Sequence, residues 1–340
     1  MKTYKNLYPL IYAFDNLYRA YVKARRGKRY QAEVLKFTMG LEDNLLGLYR
    51  ELQGGTYTTG EYHYFTVYEP KKREVAALPF RDRIVHHAIH NILEPMFDRG
   101  FIYHSYACRE GKGTHAGADQ ITRWLREIHR NHGQVYVLKA DIKSYFASID
   151  HAVLIDILKR KIRCRRTMAL LRDIIYSAGS NGIGIPIGNL TSQLFANIYL
   201  NELDQYVKHQ LRVHYYLRYM DDFIVLHHTK KKLRRWRYQI EHYLDERLNL
   251  WLNNRTAIFP EKRGVDFLGY RIWRTHRLLR KRSVKRMKRN LREFEEKYAR
   301  GEISLEEIDA SIQSWVGHAM HANTYNLRRK LFSNFRLRRD

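Results

Sequence analysis

The stretch Tyr215–Leu226, YYLRYMDDFIVL, constrains the fold more than any other. Two adjacent aspartates, Asp221 and Asp222, separate two apolar runs rich in aromatic and β-branched residues. Such runs favour strands, and the acids between them favour a tight turn, so the stretch predicts a β-hairpin with both carboxylates at its tip. An ordinary polar turn also uses Asp. Carboxylates beside buried strands, however, are costly unless something neutralises them. A hard cation does so, and Mg²⁺ takes oxygen ligands from one or two carboxylates plus substrate phosphates. A third carboxylate elsewhere in the chain would decide between the two readings.

Charge narrows the partner. The 340 residues hold 62 Lys and Arg against 35 Asp and Glu, a net charge of +27. That excess points to a polyanion, nucleic acid before a membrane surface. No apolar run approaches the roughly 20 residues that span a bilayer, and no signal-peptide pattern opens the chain. The expectation is a cytoplasmic protein with no membrane attachment. Hydrophobic residues make up 44%, which excludes a disordered chain. The two cysteines, Cys108 and Cys164, form no CxxC, which fits a reducing compartment and argues against a cysteine zinc site. His86 and His90 are four apart but lack a third ligand at a recognisable spacing, so they read as packing or backbone-contacting residues. The 26 tyrosines interleave with Lys and Arg in a way that suits base stacking, although many such rings also fill cores.

Patterning divides the chain into four parts. Residues 1–60 read as a helical N-terminal extension, with a basic segment from Tyr18 to Tyr30 that is either an RNA-facing or a solvated helix. A strand pair over Tyr57–Ala77, whose turn Glu69–Arg73 has a basic tip suited to a phosphate, runs across the boundary into residues 61–134, which continue as helices. A buried strand, Gln134–Ala140, ending at Asp141, leads into residues 135–273. An insert near 160–185 and a Gly-rich loop, Gly182–Gly188, lead into a helix from about Thr191 to Gln210. The acidic hairpin and a basic helix over Lys230–Leu248 follow. Residues 274–340 read as basic and helical: Arg274–Arg300 holds twelve Lys and Arg against three acids. The whole predicts an α+β fold with helical ends.

Asp141 is the third carboxylate. Brought beside Asp221 and Asp222, it would hold two Mg²⁺ ions, or Mn²⁺ in their stead, about 3.5–4 Å apart for an in-line phosphoryl displacement. Here the chain resembles a known family. Tyr219-Met-Asp-Asp222 is similar to the YxDD motif of reverse transcriptases, and Asp141-Ile-Lys-Ser-Tyr-Phe146 with Ile149-Asp-His151 to the motif that supplies the first acid. Arg73, Arg81-Asp-Arg83 and Ser105–His115 resemble the finger motifs of the group II intron-like branch, and Phe267-Leu-Gly-Tyr270 the primer-grip segment. The resemblance runs in order over about residues 60–275. It implies a right-hand polymerase fold: fingers over 61–134, a palm of antiparallel sheet and helices over 135–273, and a helical thumb over 274–340. It also implies roles for single residues. Asp141, Asp221 and Asp222, with the Ile142 carbonyl, would be metal ligands. Arg73, with Lys72 beside it, would grip the incoming triphosphate. Phe146 would bar a ribose 2′-hydroxyl, or simply pack in the core. Arg255 stands where the family usually has a lysine, and Arg cannot give up a proton as Lys can. Phe267, Leu268, Gly269 and Tyr270 would form the primer grip.

One departure narrows the family. Most of these polymerases carry Gln-Gly followed by Ser-Pro, whereas this chain reads Ile187-Gly-Asn-Leu-Thr-Ser-Gln193. That pattern resembles the reverse transcriptases of diversity-generating retroelements, which copy a template-repeat RNA into cDNA with errors at template adenines. The resemblance implies an RNA/cDNA duplex and dNTPs as substrates, a small basic helical accessory variability protein as an oligomeric partner, and a bacterial or phage origin. Ile187 can only pack where Gln would hydrogen-bond, which weakens discrimination between right and wrong pairs. Gly188 would let backbone approach the nucleotide closely. Other readings are a group II intron, retron or abortive-infection enzyme without adenine mutagenesis, and a non-catalytic RNA-binding scaffold. An RNA-dependent RNA polymerase is disfavoured by Phe146. No Cys/His cluster or RNase H-like acid set follows the primer grip, so an integration nuclease is expected from elsewhere.

Overall fold

The computed structural model describes residues 2–68, 72–179 and 181–339. Four helices open the chain: α1 (Tyr8–Tyr12), α2 (Phe14–Ala24), α3 (Ala32–Met39) and α4 (Leu41–Gly54). Leu17, Ala20, Tyr21 and Ala24 recur at helical spacing on α2 and all are buried. Gly55 ends α4 in the left-handed region, and its N–H closes the last turn onto the carbonyls of Glu51 and Leu52. The basic segment that begins at Tyr18 is helical only to Ala24.

A two-stranded hairpin follows, β1 (His63–Val67) and β2 (Arg73–Ala77), with β1 exposed along its length. Residues 69–71 of the expected basic tip lie outside the described residues. Helices α5 (Phe80–Asp98) and α6 (Thr114–His132) lead to β3 (Tyr136–Asp141). Then come α7 (His151–Lys161), α8 (Arg165–Tyr176) and α9 (Leu190–Gln205), the last running through a π turn to Gln210. The acidic stretch forms β4 (Tyr216–Tyr219) and β5 (Asp222–His227). After α10 (Lys230–Leu248), strand β6 (Ala257–Pro260) completes an antiparallel sheet of order β4-β5-β3-β6.

Alternation along these strands feeds two cores. Leu138, Ala140, Tyr216, Phe223 and Val225 join a large core with the N-terminal helices, α5, α9 and α10. Val137, Leu217, Ile224 and Leu226 point the other way, into a core with α6 and the C-terminal elements. A sheet covered on both faces explains why β4 and β5 read as continuous apolar runs rather than as half-polar strands.

A three-stranded sheet, β7 (Val265–Phe267), β8 (Tyr270–Ile272) and β9 (Arg277–Leu279), precedes α11 (Lys281–Ala299), α12 (Leu305–Met320) and α13 (Tyr325–Phe332). The C-terminal part, expected to be helical from 274, therefore begins with a strand. Pairing of β9 with β8, Tyr270 opposite Leu279, buries Leu279 and overrides the helical charge pattern. Ser304 caps α12 through a reciprocal pair of hydrogen bonds with Glu307. No helix of the described residues is long and apolar enough to cross a membrane.

Candidate active site

The sheet register brings the three acids together. Asp141 at the end of β3 is the direct cross-strand partner of Asp222 at the start of β5. Tyr219 pairs with Asp222, which leaves Met220 and Asp221 as a two-residue turn. By strand alternation Asp141 and Asp222 share the face of Val137 and Ile224. Two carboxylates directly opposite repel. Asp221 is drawn into the same cluster, because its carbonyl accepts the Ile142 N–H at 3.3 Å. Burial first, then the Asp141 charge, with Asp222 adding to it, pushes the Asp221 carboxyl up to about 7.

A neighbouring loop supports Asp141. The Asn253 Nδ2 donates to Asp141 Oδ2 at 3.3 Å, and the Asn253 N–H donates to the Asp141 carbonyl at 2.6 Å. Lys143 N–H donates to the Trp251 carbonyl at 2.9 Å, and Ile142 bridges Leu252. Arg255 is exposed two residues beyond Asn253, whose side-chain oxygen accepts the Arg255 N–H at 3.1 Å. Sequence reasoning singled out Arg255 and missed Asn253, for which its place in the same Leu252–Thr256 segment is the one signal.

The donor chemistry fits a divalent cation. Among the described residues no three His, Cys, Asp or Glu side chains converge as a ready-made cage. Mg²⁺ does not need one, since it retains water and completes its shell with substrate phosphates. Half-buried, like-charged carboxylates, one with its pKa lifted to about 7, are a donor set that a dication would relieve.

The loops around the acids hold the other candidates. Phe146 lies half-buried in a 3₁₀ turn over Tyr145–Ser148, and its carbonyl accepts the Ile185 N–H at 2.8 Å. This ties the turn that follows β3 to the Gly-rich loop. Ile187, half-buried, accepts the Ala76 N–H of β2 at 2.8 Å. Gly188 has φ +134°, and a Cβ there would meet the Ala76 carbonyl oxygen at 2.3 Å. The close approach that requires glycine is therefore to β2, a protein strand, where the sequence suggested a nucleotide. Gln193 is exposed on the first turn of α9. Lys72 and Arg73 are exposed on the hairpin that β2 anchors to the Ile187 loop.

Leu268 and Gly269 form the two-residue turn between β7 and β8, both with positive φ. Phe267, Leu268 and Tyr270 are buried, so the turn presents backbone rather than apolar side chains. The Tyr270 hydroxyl lies 2.8 Å from His115 Nδ1 and donates to the His318 carbonyl at 3.0 Å, which joins this turn to α6 and α12. The packing role expected of His86 matches its setting. It is buried, its Nδ1 lies 2.8 Å from Thr191 Oγ1, and burial lowers its pKa to about 3.

Comparison with known proteins identifies the family and the fold. Residues 69–272 match the family model for reverse transcriptase (RNA-dependent DNA polymerase). Protein YkfC of Escherichia coli is 29% identical over 263 residues, 64% of this chain and 67% of its own length. Group II intron-encoded protein LtrA of Lactococcus lactis is 28% identical over 177 residues, 49% of this chain and only 28% of its own length. A telomerase structure from Candida tropicalis, in complex with a TWJ fragment of telomeric RNA, shares the fold. Its TM-score is 0.51 at 14% identity, over 82% of this chain and 55% of that one. The matched model covers more than half of the chain, and the chain belongs to the reverse transcriptase family, with the right-hand polymerase fold of that family.

Proposed function

We propose that the chain is an RNA-directed DNA polymerase of the diversity-generating type, which makes adenine-mutagenic cDNA from a template-repeat RNA. The observation that carries the polymerase reading is the register that puts Asp141 opposite Asp222 with Asp221 in the adjoining turn. In this reading Asp141, Asp221, Asp222 and the Ile142 carbonyl would hold two Mg²⁺ ions, which would lower the pKa of the primer 3′-hydroxyl and neutralise charge on the leaving pyrophosphate. The protein's own part is positioning. Arg73 and Lys72 hold the triphosphate from the finger hairpin, and Arg255 approaches from the loop that Asn253 docks onto Asp141. Phe146 closes the space a 2′-hydroxyl would need. The turn at Leu268–Gly269 offers backbone to the primer strand. In domain terms the extension runs over 1–60, the fingers over 61–134, the palm over 135–273 and the thumb over 274–340. Replacing Asp222 by Asn should abolish primer extension with Mg²⁺ and leave RNA binding intact. Retained extension would refute the metal assignment.

The mutagenic part of the reading rests on Ile187 and Gln193. The Ile187 carbonyl is committed to β2, and its side chain is one that can pack but not hydrogen-bond. An apolar group there removes a contact that would hold pair geometry, and lower discrimination follows. A small basic accessory protein and a bacterial cytoplasmic setting complete the proposal. The similarity to LtrA favours a second reading, a group II-like enzyme of ordinary fidelity. Sequencing cDNA made by wild type and by Ile187→Gln separates the two. Errors concentrated at template adenines that fall in the variant support the first, and an unchanged error spectrum in the variant sinks it.

A further inference from the structure

Behind the acidic turn lies a buried charged network that the polymerase reading does not use. Arg218 of β4 and Asp204 of α9 are both fully buried, and their ion pair is 2.6 Å long. Arg218 Nε donates to Asp204 Oδ1 at 2.8 Å and Oδ2 at 3.0 Å. One terminal nitrogen donates to Asn197 Oδ1 at 3.1 Å and to the Met220 carbonyl at 2.9 Å. The other donates to Asp204 Oδ2 and to Ser105 Oγ at 3.2 Å. The acceptors are fixed in turn: the Tyr216 hydroxyl donates to Asp204 at 2.7 Å, and Asn197 Nδ2 donates to the Ala107 carbonyl at 2.9 Å. All three guanidinium nitrogens are thus engaged, and helix α9, the segment before α6 and the turn are joined at one point.

Two facts argue that this network is there for the turn. A buried ion pair is a poor route to stability, because apolar replacements of similar volume often do as well. The contact that the network makes to the catalytic turn reaches a strained residue. Met220 has φ +55°, while Asp221 does not have positive φ. Positive φ at the first of two turn residues alone is the type II′ pattern, which normally places glycine there. A residue with a Cβ holds that conformation only when its surroundings impose it. A further tether of the turn, from Ile142 N–H to the Asp221 carbonyl, is longer at 3.3 Å.

We infer that Arg218 is a positioning residue: its hydrogen bond to the Met220 carbonyl, braced by Asp204, holds the turn in the conformation that sets Asp221 and Asp222 opposite Asp141. The inference rests on the polymerase reading. Lysine at 218 keeps a cation against Asp204 but lacks the fork that reaches Asp204 and Met220 together. Glycine at 220 populates positive φ without a brace.

The test is a cycle of wild type, Arg218→Lys, Met220→Gly and the double variant, with thermal unfolding to check folding. Primer extension on an RNA template with a DNA primer gives kcat and KM for dNTP, and hydrogen exchange of metal-free protein reports on the amides of residues 220–223. Arg218→Lys should lower kcat about 10- to 100-fold, the loss of a hydrogen bond from a charged group, with KM changed less than kcat and with faster exchange at the turn. In the Met220→Gly background the same change should cost no more than about threefold, since the strain it controls is gone. Equal losses in both backgrounds, or slow exchange retained in Arg218→Lys, overturn the inference. Should Arg218→Lys melt below the assay temperature, the isosteric Asp204→Asn runs the same cycle, and an unchanged kcat there overturns it. A wild-type chain that extends no primer refutes the polymerase reading itself, whereas an active wild type matched by Arg218→Lys refutes only the role of Arg218.

Discussion

Replacing Asp141 by Asn should make the metal-free protein more stable while destroying its activity. The Asp221 carboxyl, ordinarily near 3.8, is pushed up to about 7 by burial and by Asp141 and Asp222. A carboxyl raised this far makes the ionised, metal-free cluster unfavourable by roughly a few kcal/mol at neutral pH. The folded-state pKa lies above the unfolded one, so between about pH 4 and 7 the folded chain binds more protons. The stability of metal-free protein therefore falls as pH rises through that window. Asn at 141 removes the largest of the charges on Asp221, keeps an acceptor for Asn253 and leaves burial unchanged, so about 1–2 kcal/mol of the penalty should be relieved. At about 2 °C per kcal/mol for a chain of this size, thermal unfolding in EDTA at neutral pH should shift up by roughly 2–4 °C. Added Mg²⁺ should stabilise wild type more than the variant and reverse the order. A variant that melts lower than wild type in EDTA, or that gains as much from Mg²⁺, would refute the reasoning.

Three further outcomes follow from single contacts. Phe146→Ala should admit ribonucleotides in primer extension if the half-buried ring is the 2′-hydroxyl gate, and unchanged exclusion of rNTPs assigns Phe146 to packing alone. Gly188→Ala should cost about 2 kcal/mol or more in urea unfolding, because its Cβ would lie 2.3 Å from the Ala76 carbonyl oxygen at φ +134°; a loss under about 0.5 kcal/mol would show that β2 lets go of the loop easily. His86 is held neutral by burial, with its pKa lowered to about 3, so the unfolded chain gains protons first and stability is lost as pH falls from about 6.5. His86→Gln should recover about 2 kcal/mol of that loss at pH about 5, as read from denaturant midpoints at the two ends of the window.

Local sequence carried much of this. The helix over Lys230–Leu248 and the hairpin at Tyr216–His227 were legible because their apolar spacing and turn residues are local signals. The motifs were legible for a similar reason: chemistry at a polymerase site depends on particular side chains, and those are written one residue at a time. Less legible was anything decided by partners distant in the chain. The strand Arg277–Leu279 sits in a segment whose charges read as helix, and only pairing with Tyr270–Ile272 makes it a strand. Asn253 gained its place from a loop that folds back on Asp141, 112 residues away in the chain.

Three acids, an excess of positive charge and the Ile187 substitution were properties of the sequence by itself, since identity and charge need no fold. Only the tertiary structure decided that Asp141 faces Asp222 across two strands, because register is set by burying Val137, Ile224 and Leu226 on one face and Phe223 and Val225 on the other. Only the structure showed that Gly188 makes room for a strand, that the side chains of Phe267, Leu268 and Tyr270 turn inward, and that a buried Arg218 donates to the Met220 carbonyl beside Asp221. Each of these depends on what a residue touches. A chain brings such neighbours together only when the gain from burial exceeds the entropy lost in ordering them.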